Sequence, residues 1–213
     1  MRAGRFITFE GPEGGGKTTQ AKRLLARLRD QGRDVLYTRE PGGTPTGEAI
    51  RDILQHDKAG EPLCDETEVF LFAASRAQLV RKVIVPALER GTIVVCDRFA
   101  DSTTAYQGYG RGFSVEQMLA INAFAIGDAV PDVTLLLDVT IDLGFERITG
   151  RQKELFEQAD RIEREARAFH ERVRNGYLEL AQKWPERFRR IDAARTPDEV
   201  EVTIWEVLKD VLP

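Results

Sequence analysis

The chain has 213 residues, 42% of them hydrophobic, with 31 basic against 35 acidic side chains and a formal net charge of −4. That length suits one domain with its own core, and the missing basic excess argues against a nucleic-acid polymer as partner, so local arginine clusters point to a small anionic ligand. No apolar run approaches a membrane span, Cys64 and Cys96 lack disulfide or zinc spacing, and Met1–Arg5 carries no signal-peptide core, so a cytoplasmic, reduced protein is expected.

Strand and helix patterns alternate without a repeat or a linker, as in a mostly parallel sheet covered on both faces. The first predicted strand, Phe6–Glu10, runs into Gly11-Pro12-Glu13-Gly14-Gly15-Gly16-Lys17-Thr18, which matches G-x-x-x-x-G-K-[ST]. Between a strand and a helix, such a loop turns backbone N–H groups inward around a β-phosphate. Lys17 then reaches the β/γ-phosphates and Thr18 can ligate Mg²⁺. Ala21, Leu24, Leu25 and Leu28 form the apolar face of the following helix, which ends at Gly32. Such a loop alone does not separate kinases from ATPases or switches.

A second strand, Val35–Thr38, leads to Arg39-Glu40-Pro41-Gly42-Gly43-Thr44. Arg39 is placed to clamp a second phosphate, or it is the solvated arginine of an ordinary turn. Glu66–Arg90 reads as one long helix, kinked or split at Pro86. The third strand, Thr92–Asp97, ends on a carboxylate followed at once by Arg98. C-terminal strand ends line the ligand crevice of a parallel sheet, which makes Asp97 a candidate metal ligand and Arg98 a phosphoryl contact. Asp138, closing the strand Val133–Asp138, is the alternative metal ligand.

The stretch Gly150–Arg161 is charged and has no apolar face, so it is a solvated loop or a mobile lid. A long helical stripe follows at Ile162, Ala166, Phe169, Val173, Tyr177, Leu180 and Trp184. A weak strand, Arg187–Asp192, and a last helix through Val200, Ile204, Val207, Leu208 and Val211 close the chain. These stripes read as core.

The run Asp97-Arg98-Phe99-Ala100-Asp101-Ser102-Thr103-Thr104-Ala105-Tyr106-Gln107-Gly108 resembles the D-R-[YFH]-x-x-S-x-x-A-Y-Q-G signature of bacterial thymidylate kinases. Arg39 to Thr44, Phe72-Ala73-Ala74-Ser75-Arg76-Ala77-Gln78 and Asp160-Arg161-Ile162-Glu163 resemble further segments of that family, in order, so the likeness spans essentially the whole chain. It implies an α/β P-loop NTPase fold in three α/β/α layers, with a five-stranded parallel sheet of order 2-3-1-4-5. One nucleoside monophosphate kinase domain would fill residues 1–213, with a short lid at about 147–161. The implied protein is a homodimer that moves the γ-phosphoryl group of ATP to dTMP with Mg²⁺.

Carried over position by position, the resemblance implies an ATP site of Gly11, Pro12, Glu13, Gly14, Gly15, Gly16, Lys17, Thr18 and Thr19, with Arg147 stacked on adenine. Phe72 would stack on thymine, Arg76 donate to its O4, and Ser102 and Gln107 lie near the base. Tyr106 would sit under the deoxyribose, Arg39 and Arg98 hold the dTMP phosphate, and Glu13 face the 3′-hydroxyl. From the residues alone, Phe72 and Tyr106 also read as plain core, although Phe72 and Arg76, four apart on a helix, make a natural base-binding pair.

Phosphoryl transfer needs cationic charge on the γ-phosphoryl oxygens. Gly14 and Gly15 leave the P-loop only Lys17, so Arg151, Lys153 or Arg161 of the lid would supply the rest; Lys17, Arg98 and Glu13 complete the expected catalytic set. Two departures from the family stand out: a longer, less arginine-rich lid, and Phe99 where tyrosine is common. A kinase for another nucleoside monophosphate and a slow ATP-hydrolysing switch stay open as alternatives.

Overall fold

The computed structural model describes residues 3–56, 61–155, 161–209 and 211–212, with residues 151–155 described by their backbone alone. Five strands, β1 (Phe6–Glu10), β2 (Val35–Arg39), β3 (Ile93–Asp97), β4 (Val133–Asp138) and β5 (Phe188–Asp192), form one parallel sheet in the order β2-β3-β1-β4-β5. The three central strands are buried along their whole length, which their Val-, Ile- and Leu-rich runs require when helices cover both faces. The expected strands and their order are found; β2 runs one residue further to include Arg39, while β3 and β5 each begin one residue later.

The helices are α1 (Lys17–Asp30), α2 (Pro45–Gln55), α3 (Asp65–Leu79), α4 (Val85–Glu89), α5 (Ala100–Thr103), α6 (Val115–Ile126), α7 (Ile141–Leu155), α8 (Arg167–Lys183) and α9 (Pro197–Leu208). The long helix expected to Arg90 is divided, but upstream of the proline, by a π-helical turn at Val80–Ile84. Pro86 sits in the first turn of α4 and offers no N–H to the helical turn before it. The stripe expected from Ile162 becomes helical only at Arg167, because Ala166 is extended and Ile162 belongs to the preceding turn. The loop expected from Gly150 is helical as far as Leu155, the end of α7.

One core lies between the sheet and α1 with α9, around Phe9, Leu24, Leu135 and Ile204. A second lies on the opposite face around Phe6, Leu79, Ile84 and Phe99. A third joins α8 to the π-helical segment Thr104–Gly110 through Tyr106, Phe169, Val173 and Tyr177.

Glycine makes that last contact close enough to matter for the site. A Cβ on Gly176 would come within 2.6 Å of the Tyr109 ring, and one on Gly110 within 2.7 Å of Phe169. The two elements meet backbone to ring, which brings Tyr177 and Tyr106 into one polar pocket. Gly176→Ala is expected to overpack this seam and destabilise the fold by about 1–3 kcal/mol in urea unfolding.

Candidate functional site

The cradle between β1 and α1 depends on left-handed backbone at Gly14 and Gly16, with φ of 71° and 80°. Gly14 also lies against α7: a Cβ there would meet the carbonyl oxygen of Gly144 at 2.3 Å. Lys17 curls over the loop, its Nζ donating to the carbonyls of Gly11 at 3.0 Å and Pro12 at 2.7 Å. Burial and neighbouring Arg98 lower its pKa to about 8 against the pull of Glu13 and Asp97. Thr18 donates its hydroxyl to Asp97 Oδ2 at 2.5 Å. Tyr37 also hydrogen-bonds Asp97, and burial with that carboxylate raises its hydroxyl to about 12.

These groups open on a cavity of about 910 Å³ lined by the cradle from Glu13 to Thr19 and by Arg39, Arg51, Asp97, Arg98 and Arg147. Arg147 closes one end by donating to the carbonyls of Gly14 at 3.3 Å and Ala193 at 2.8 Å. Arg39 marks the other, paired with Glu48 at 2.9 Å.

Arg98 sits between the two ends. Its Nη2 reaches Glu13 Oε1 at 2.5 Å, and Tyr106 donates its hydroxyl to the same oxygen at 2.8 Å. Burial pushes the Glu13 carboxyl upward, but Arg98 and Lys17 outweigh it and hold the pKa at about 2. Ser102 donates to Glu10 Oε2 at 2.6 Å, as does Tyr177 at 2.9 Å. For Glu10, burial and Asp101 raise the pKa to about 7.

Beyond this cavity the predicted base-side residues form a buried polar layer. Phe72 is half-buried. Arg76, 1% exposed, donates from Nε to Glu40 at 2.8 Å, from Nη1 to Asn122 at 2.7 Å and from Nη2 to Thr103 at 2.9 Å. Gln107 donates to Glu68 at 2.7 Å. Glu68 has no exposed surface and also receives Arg111 and Arg161. Burial works against its charge, yet Arg111, Gln107 and Arg161 together lower its pKa.

Of the lid cations, Arg161 points to Glu68 and to the carbonyl of Leu54 at 3.1 Å. The side chains of Arg151 and Lys153 lie outside the described residues. Asp138, the alternative metal ligand, is instead held by Arg174 at 2.7 Å and Arg190 at 2.6 Å. The sequence reading missed Glu10, Glu40, Arg51, Glu68 and Tyr177. The rule that strand ends face the crevice, applied to Asp97, also singles out Glu10 at the end of β1, and Glu40 lies within the Arg39–Thr44 segment; Arg51, Glu68 and Tyr177 gave no local signal.

The family model for thymidylate kinase matches residues 9–204. The thymidylate kinase of Thermomicrobium roseum is 49% identical over 207 residues, covering 97% of this chain and 95% of the relative. That of Deinococcus radiodurans is 49% identical over 211 residues, covering 99% and 98%. The crystal structure of thymidylate kinase from Ehrlichia chaffeensis superposes with a TM-score of 0.75 at 35% identity, covering 97% of this chain and 99% of that one.

The buried Arg76–Glu40 pair carries a prediction independent of catalysis. Removing one partner leaves an uncompensated charge, and burial already pushes the Glu40 carboxyl upward. Arg76→Ala is expected to lower stability by about 3–5 kcal/mol in chemical denaturation. A loss no larger than that of an exposed arginine would show that Glu40 finds another donor.

Proposed function

The chain belongs to the thymidylate kinase family, and from that premise we propose how its residues move a phosphoryl group from ATP to dTMP, giving ADP and dTDP. The observation that carries the proposal is one cavity lined both by the Lys17 cradle and by Arg39, Arg98 and Arg147. A donor phosphate chain and an acceptor phosphate fit there end to end. The acceptor phosphate is already a nucleophile near neutral pH, so transfer needs no covalent intermediate. Positioning and charge neutralisation carry the catalysis.

In this reading the cradle amides and Lys17 hold the β- and γ-phosphates. Arg98 and Arg39 hold the dTMP phosphate. The low pKa of Glu13 keeps its carboxylate ionised, so it accepts from the 3′-hydroxyl, and the Tyr106 hydroxyl beside it supports a seat under the deoxyribose. Half-buried Phe72 keeps a face for thymine, while the partners of Arg76 lock its guanidinium for O4. Arg147, at the cradle's far end, belongs to the adenine side.

Among the described residues, no three His, Cys, Asp or Glu side chains gather into a self-contained metal cage. Thr18 and Asp97 suit Mg²⁺, a hard cation that takes one or two protein oxygens and draws its other ligands from water and phosphate. When bound, Mg²⁺ would neutralise charge developing on the β- and γ-phosphates.

We assign a lid to about residues 147–161, of which 156–160 lie outside the described residues. The contacts of Arg161 to Glu68 and Leu54 favour Arg151 or Lys153 as its transition-state cation. Phe70 and Phe124, 64% and 88% exposed on the packed pair α3 and α6, support a homodimer through that face. Among the described residues no helix is long and apolar enough to cross a membrane; a cytoplasmic setting, with free nucleotides as substrates, completes the proposal.

A coupled ADP-release assay tests the reading. Release is expected to require dTMP, and turnover without acceptor would indicate a switch. Losing the 5-methyl group, as in dUMP, should cost roughly 10–200-fold in kcat/KM, and dCMP, which presents a donor to Arg76, ~10⁴-fold. Comparable rates with dCMP would overturn the base assignment. Lys17→Ala should lose most transfer while staying folded. Neutralising Arg151 or Lys153 should cost up to ~10³-fold in kcat, and Arg161 much less; a dominant loss at Arg161 would reverse the lid assignment.

A further inference from the structure

Glu10 closes β1 with no exposed surface and does not line the cavity. Four donors nevertheless converge on its carboxylate. The backbone N–H groups of Phe99 at 2.8 Å and Ser102 at 3.3 Å give to Oε1. The hydroxyls of Ser102 at 2.6 Å and Tyr177 at 2.9 Å give to Oε2. An ionised carboxylate only accepts, and the two hydroxyl oxygens also lie 2.8 Å apart, so each proton goes either to Glu10 or to the other hydroxyl, and neither points at Arg98.

The neighbour is Arg98. Its Nη1 lies 3.4 Å from Ser102 Oγ and 3.5 Å from the Tyr177 hydroxyl oxygen. Its backbone has a φ of 66°, the one positive value among the described non-glycine residues. Such a conformation persists only where its surroundings over-determine it. The next amide along, that of Phe99, is one that Glu10 holds.

We propose that Glu10 is a positioning residue for phosphoryl transfer, orienting the Ser102 and Tyr177 hydroxyls as acceptors so that Arg98 is aimed at the acceptor phosphate. The proposal rests on the reading of Arg98 as a ligand of that phosphate. Glu13 fixes the guanidinium from the cavity side, and Glu10 fixes it from beneath through the two hydroxyls.

Glutamine at this position separates positioning from packing. Its carbonyl oxygen still accepts from the Phe99 and Ser102 amides, so the turn is retained. Its NH₂ now donates to the hydroxyl oxygens and takes no proton from them, so even with one hydroxyl bonded to the other a proton turns toward Arg98 and an acceptor beneath the cation is lost.

The experiment is a double-mutant cycle at mildly alkaline pH, with dTMP and ATP kinetics on wild type, Glu10→Gln, Arg98→Ala and the double variant. Glu10→Gln is expected to lower kcat/KM for dTMP about 10-fold, on the scale of one hydrogen bond to a charged group, with KM for ATP unchanged. In the Arg98→Ala background it should cause no further loss. Equal losses in both backgrounds would make Glu10 merely structural and overturn the proposal. So would an unchanged rate in Glu10→Gln when Arg98→Ala alone is impaired. Unimpaired dTMP kinetics in Arg98→Ala would instead reject the reading of Arg98, and the proposal with it. If Glu10→Gln does not fold, Tyr177→Phe takes its place: it removes one acceptor beneath Arg98 and should show a smaller loss that also vanishes without Arg98. An unchanged rate there would overturn the proposal.

Discussion

Arg98 is a cation drawn largely out of water, its side chain 18% exposed, and the crevice is organised around keeping it charged and aimed. The register of β1 against β3 makes this possible. Phe9 lies opposite Asp97, so Glu10 and Arg98 leave the sheet side by side, and the Arg98 amide still donates to the Phe9 carbonyl at 2.9 Å. A one-residue slip would turn every side chain of β3 to the opposite face and separate the pair. The parallel ladder therefore does more than bury aliphatic surface. It sets two carboxylates, Glu10 and Glu13, on different sides of one guanidinium.

The same logic recurs on the acceptor side. Arg76 on α3 reaches Glu40 after β2, Asn122 on α6 and Thr103 on α5. Arg187, just before β5, reaches Asp101 at 2.6 Å. Buried ion pairs contribute little net stability, because desolvation offsets their attraction, yet they penalise any arrangement that leaves one member alone. Here each pair ties elements far apart in sequence, so the penalty falls on displacing one layer relative to another. A site that works by positioning benefits from such rigidity more than from extra stability.

Much of this was legible in the residues, though unevenly. The cradle is contiguous, and its glycines, lysine and threonine stand in register between a strand and a helix, so a local reading finds it. The five strands were legible as apolar runs; their order came through resemblance, since hydrophobic periodicity carries no information on which strand neighbours which. Helix α6 escaped because Met118-Leu119-Ala120-Ile121-Asn122-Ala123-Phe124-Ala125-Ile126 is apolar nearly all round, and Phe124 is left exposed. Helix α2 escaped despite Thr44 capping the Gly47 amide at 2.9 Å, because the Pro-Gly-Gly turn before it masked the start. Glu68 and Tyr177 could not be found locally: Gln107 meets Glu68 from 39 positions away and Tyr177 meets Glu10 from 167.

Under the proposed reaction, that unevenness has a physical origin in how the donor and acceptor sides of the cavity would work. The donor end presents backbone N–H groups, and their direction is set by φ values that glycine alone adopts without strain, as at Gly14 and Gly16. Glycine spacing therefore records the chemistry directly. The acceptor end presents side chains whose polarity is decided one layer down, where a hydroxyl is a donor or an acceptor according to the group behind it. Ser102 reads as a small polar residue of the signature, and nothing in that motif shows the Glu10 carboxylate 2.6 Å behind it or the Tyr177 hydroxyl 2.8 Å beside it. In the proposed reading the signature motif names side chains that meet the substrate, and the carboxylates beneath decide in which sense they would meet it.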